Sequence, residues 1–160
     1  GNFIPPHVIK IVPELKKQAE IWANFIHLLL FCKRIELSVN ERQIFYDIFQ
    51  DLIVIYLFVN LNADSYNISC RDAIDRAADS NSRLWAHLGL VHNMEKEPGF
   101  RERYEVFLLS RAVMTRKRET IPERVDRNKQ AVGYYESHKK ALQKLHKAIF
   151  KTVSIKPINP

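Results

Sequence analysis

The chain has 160 residues, of which 46% are hydrophobic and 27% charged, enough for one globular domain with a real core. Four glycines and seven prolines argue against a turn-rich all-β fold, and two cysteines cannot build a disulfide framework. The longest unbroken apolar run, Leu52 to Val59, is too short to span a bilayer, and the net charge of +7 directs attention to polyanionic partners.

Pro5-Pro6 keeps the first residues extended. Pro13 and Glu14 suit the first turn of a helix over residues 13 to about 34, with Ile21, Phe25, Leu28 and Leu29 as its apolar side. Ser38-Val39-Asn40-Glu41 has capping-box spacing and opens a second helix through Ile44, Ile48, Leu52, Ile55 and Val59. Asn60 to Asp64 breaks it. Tyr66-Asn67-Ile68-Ser69 alternates and predicts a short strand leading into Cys70.

A helix follows, with Ala73, Ala77, Leu84, Leu88 and Val91 on its apolar side, stopping near His92-Asn93. Phe100 to Thr115 predicts a fourth helix whose core candidates are Tyr104, Phe107, Leu108 and Val113. Arg116-Lys117-Arg118 and Pro122 read as a basic linker. Asp126 then caps a last helix through Ala131, Tyr135, Leu142, Leu145 and Ile149. Cys32 lies in an apolar run and reads as core; Tyr134-Tyr135 read as packing on other helices. The expected fold is mainly α with one short strand–loop–helix element, a single domain over 1–160. Its phosphate-binding loop lies at 70–76 and a basic helical half starts at about Lys96. With one strand only, the chain is either an unusually helical domain or a piece of a larger catalytic domain.

The chemistry concentrates at Cys70. A thiol attacks phosphorus only as thiolate, and a tight loop ending at a helix N-terminus lowers its pKa through aimed N–H groups and the helix dipole. The same donors cradle phosphate oxygens, and an arginine six positions on binds two of them in a fork. Cys70 and Arg76 have that spacing, and small Ala73 beside Ile74 lets the backbone come close. No histidine has metal-ligand spacing, so neither metal nor cofactor is expected.

The string Cys70-Arg71-Asp72-Ala73-Ile74-Asp75-Arg76 resembles the loops of myotubularin lipid phosphatases (Cys-Ser-Asp-Gly-Trp-Asp-Arg) and of Sac-domain phosphatases, which end in Leu-Asp-Arg. It is most similar to phosphoinositide phosphatases among Legionella-type secreted bacterial effectors, with loops of Cys-Lys-Asp-Ala/Gly-Ile-Asp-Arg character. The resemblance spans Asn67 to Ala78. It implies Cys70 as nucleophile, Arg76 as the phosphoryl clamp, Asp75 as general acid for the inositol oxygen with Asp72 as the weaker candidate, and Arg71 on a neighbouring ring phosphate. It also implies a phosphoinositide substrate, commonly at the 3-phosphate, and a cytosolic enzyme peripheral to an anionic membrane, in a host cell if secreted. Ala77 departs from the usual Thr or Ser, and the chain has no Trp-Pro-Asp loop, which separates it from protein tyrosine phosphatases. The competing expectation is a non-catalytic basic helical module for an acidic partner or membrane. Nucleic acid is the weakest partner reading, and oligomeric state is not legible.

Overall fold

Ser38 starts the longest helix as its spacing requires. Its hydroxyl accepts from the Glu41 amide while the Glu41 carboxylate accepts from the Ser38 amide, closing a full capping box. The computed structural model describes residues 10, 13–66, 68–69 and 74–150. These hold six α-helices: α1 Leu15–Phe31, α2 Val39–Asn60, α3 Asp75–Val91, α4 Phe100–Arg116, α5 Pro122–Ser137 and α6 Lys139–Ile149. A single 3₁₀ turn, Met94–Lys96, lies between α3 and α4.

No strand occurs among the described residues: of the expected strand before Cys70, Tyr66, Ile68 and Ser69 are irregular, and Asn67 lies outside the described residues. A strand needs a partner ladder for its backbone, and every described element nearby is a helix already satisfied internally. The Ile68 carbonyl is instead taken by the Asn81 side chain at 2.9 Å.

Two packed groups build the interior. Trp22, Ile26, Phe31, Ile48, Leu52, Tyr135, Leu142 and Leu145 join α1, α2, α5 and α6, and Ala86, Tyr104, Leu108 and Val132 join α3, α4 and α5. Helix α3 touches α4, α5 and α6 and is the hub. Gly89 permits one of these approaches. A Cβ there would lie 2.3 Å from the Phe100 ring, which also stacks on Trp85 at 4.4 Å.

Several expected details move. The buried side of α1 is Leu15, Trp22, Ile26 and Leu30, one residue round from the expected stripe, leaving Ile21 and Leu28 exposed. Cys32 is exposed in the left-handed region at the end of α1, not core. Pro122 opens α5 at its first turn, where its missing N–H costs nothing, so Asp126 lies inside the helix and caps nothing. The expected last helix is two, divided at His138. Tyr134 and Tyr135 pack inward as expected, Tyr134 donating to the Leu30 carbonyl at 2.7 Å.

A polar cluster runs through the middle of the bundle. Arg83 of α3 is buried between two α2 carboxylates, 3.3 Å from Asp47 and 3.1 Å from Asp51. Arg127 of α5 reaches Asp47 at 2.8 Å, and Asp51 also accepts from His87 at 3.1 Å and Tyr135 at 3.3 Å. Burial pushes the Asp51 pKa up, but the Arg83 charge and the His87 hydrogen bond outweigh it, so the carboxyl sits below its usual range. Alongside, Asn128 donates to Asp79 at 2.7 Å and accepts from Tyr104 at 2.6 Å. Removing one partner of a buried pair strands the other charge, so Asp51→Ala is expected to cost about 3–5 kcal/mol in urea unfolding. A loss under about 1 kcal/mol would mean the cluster does not tie α2 to α3.

Candidate functional site

The chemistry expected at 70–76 falls where the chain enters α3. Cys70, Arg71, Asp72 and Ala73 lie outside the described residues; Ile74, Asp75 and Arg76 lie within them. Ile74 is the residue before the helix and is 5% exposed, so an apolar peg anchors the end of the segment against the bundle. On its far side Asn81 holds the Ile68 carbonyl and the Ala77 carbonyl together. Residues 68 and 74 are therefore both held on the first two turns of α3.

That terminus is electropositive for two reasons. The first turn of a helix has amides without intrahelical acceptors, and the dipole adds partial positive charge. No side chain caps α3 from Ile74. Arg76, in the first turn, is exposed and makes no ion pair among the described residues. Ala77 is buried, so its side chain packs into the core.

Asp75 is committed. Its carboxylate accepts a forked pair of hydrogen bonds from Arg118, at 3.0 and 2.6 Å, and a third from the Ile121 amide at 3.2 Å. The Arg118 hydrogen bond is the main influence and holds the carboxyl below the ordinary aspartate range. In this arrangement Asp75 is an ionised acceptor. The same contact carries the Arg116-Lys117-Arg118 run, which sequence alone left as a linker, to the entrance of α3. Thr120 is buried there and donates to the Leu108 carbonyl at 3.3 Å, which keeps the connector folded against α4.

Sequence reasoning missed the buried polar cluster. Its signal was present: Asp47 and Asp51 are four apart beside Ile48 and Leu52 on the apolar side of α2, and Arg83 and His87 repeat the spacing on α3. The Asp47, Asp51, Arg83 and His87 side chains are no more than 3% exposed, so no substrate reaches them. The cluster is a structural tie between helices. Among the described residues no group of three or more His, Cys, Asp or Glu is arranged to hold a metal.

The chain matches no known family model, no curated protein and no solved structure.

The Arg118 fork makes a direct expectation for titration. In carbon-13 spectra followed against pH, Asp75 should titrate below the ordinary carboxyl range, and Arg118→Gln should move its midpoint upward. An unchanged midpoint would show that Arg118 is not what holds the charge.

Proposed function

We propose that the chain is a cysteine-dependent phosphatase acting on a phosphoinositide, commonly at the 3-phosphate. The observation that carries this reading is the Cys70-x5-Arg76 spacing at the entrance to α3, where Ile74 gives no side-chain cap and Arg76 is exposed in the first turn. Cysteine, arginine and helix amides are the three components that phosphoryl transfer through a thiolate requires.

In the proposed reaction the Cys70 thiolate attacks phosphorus in line, forming the S–P bond as the P–O bond to inositol breaks. The leaving oxygen takes a proton from a carboxylic acid. Water, giving a proton to the carboxylate left by the first step, then cleaves the S–P bond, releasing inorganic phosphate and the thiolate and restoring the acid. Arg76 holds two equatorial oxygens throughout, and Arg71 is assigned to a neighbouring ring phosphate. The Arg118 fork disfavours Asp75 as the proton donor, because an ionised carboxylate has no proton to give. This favours Asp72 as the acid, with Asp75 positioning Arg118. No metal or cofactor takes part in these steps.

The second reading, a non-catalytic basic module, draws support from the lack of any supporting strand among the described residues and from the alanine at position 77. One assay separates the two: phosphate release from a panel of phosphoinositides. Wild type should release phosphate in the presence of chelator, and Cys70→Ser should lower it by roughly three orders of magnitude or more. Asp72→Asn should cost roughly 10²–10⁴-fold on substrates with a poor leaving group, and Asp75→Asn less. Equal background from wild type and Cys70→Ser would reject the enzyme.

A further inference from the structure

Helix α4 turns an apolar face to solvent. Phe107 and Val113, expected in the core, are 46% and 54% exposed, Val106 is 62% exposed and Met114 is 80% exposed. Leu109 is exposed as well, while Tyr104, Leu108 and Ala112 take the buried side. At helical spacing, Val106, Leu109 and Val113 form one row and Phe107, Ser110 and Met114 the adjoining row. The result is a continuous stripe about two turns long. From Val106 to Arg118 the chain has Arg111, Arg116, Lys117 and Arg118 and no acidic residue. Exposed Ile121 continues the apolar surface past the basic run.

We propose that this face docks on an anionic bilayer, with α4 lying in the interfacial plane, its apolar rows among the acyl chains and its basic end on the headgroups. An amphipathic surface of this kind gains from apolar burial and from attraction to anionic lipid together. Other occupants match only half of it. A nucleic acid would leave the apolar rows in water. A second copy packed antiparallel would set Arg116 and Lys117 against Arg101, Glu102, Arg103 and Glu105, whose charges cancel.

The docking face and the entrance of α3 are one unit. Arg118 ends the stripe and forks onto Asp75, the first residue of α3. Adsorption through α4 therefore brings the end of the Cys70–Arg76 segment to the headgroup layer. That consequence for substrate access rests on the phosphatase reading; the docking itself does not.

The test is flotation with phosphatidylcholine vesicles, with and without phosphatidylserine and free of phosphoinositide. Wild type should float only with phosphatidylserine present, and Val113→Glu with Met114→Glu should lower the bound fraction roughly tenfold or more. Both side chains are exposed, so the circular dichroism melt should stay unchanged; Val106→Glu provides an independent variant on the same face. Hydrolysis of a soluble short-chain phosphoinositide should be the same in the double variant and wild type, while hydrolysis of that headgroup within phosphatidylserine vesicles should fall in the variant. Wild type that does not float, or a double variant that floats equally, overturns the proposal. So does a dimer in light scattering that the double substitution dissolves without any vesicle binding. If wild type fails on the soluble substrate, the phosphatase reading fails while flotation still decides the docking.

Discussion

A guanidinium cannot stay in a protein interior without partners, and Arg83 has them on another helix. Its two terminal nitrogens reach Asp47 and Asp51, which are one turn apart on α2 and so match the fork. Arg127 closes the cluster from α5 through the same Asp47. Such a pair adds little net stability over apolar packing, because desolvation offsets most of the Coulomb attraction. What it supplies is register: a slide of α3 along α2 by one turn would leave a buried charge alone. The remaining contacts of α3, with Phe100 over Gly89 and Asn128 donating to Asp79 and Ser82, depend on that register.

Fixing α3 fixes where its N-terminus points. Ile74 seats the incoming chain, Asn81 holds the Ile68 carbonyl, and Asp75 holds Arg118. Three separate segments, 68–69, 74–76 and 116–121, are thereby brought to one end of one helix. Positive charge gathers there from the dipole, Arg76, Arg116 and Lys117, while Arg118 pairs with Asp75 and Glu119 is the other described carboxylate in these segments. A helix N-terminus of this character attracts anions, and the exposed apolar rows of α4 end next to it.

How much of this was legible in the sequence depended on how local the cause was. The start of α2 could be read because Ser38 and Glu41 satisfy each other within one turn. The helix count was nearly right, since periodicity is local too, yet the continuous pattern across His138 hid the break between α5 and α6. On α1 two apolar rows one residue apart compete, and only the tertiary packing of Trp22 and Ile26 decides between them. Phe107 and Val113 looked like core for the same reason: helical spacing shows that a stripe exists but not which side the bundle covers. Tyr66, Ile68 and Ser69 are irregular where the alternation suggested a strand, since β-propensity depends on cross-strand neighbours. Within the candidate site, Cys70 and Arg76 were legible as a spacing, whereas the pairing of Asp75 with Arg118, 43 residues away, could not be inferred from either residue alone.

The central claim is that Cys70 is an activated thiol in a phosphate-binding loop, and thiol reactivity tests it without any choice of lipid. The measurement is the rate of iodoacetamide alkylation at Cys70 against pH, read by peptide mass spectrometry, with the exposed Cys32 as internal comparison. The account expects Cys70 to react as a thiolate with a midpoint below the ordinary thiol pKa of about 8.5, and to be protected by inorganic phosphate while Cys32 is not. A midpoint at or above that ordinary value, with no protection by phosphate, would contradict it.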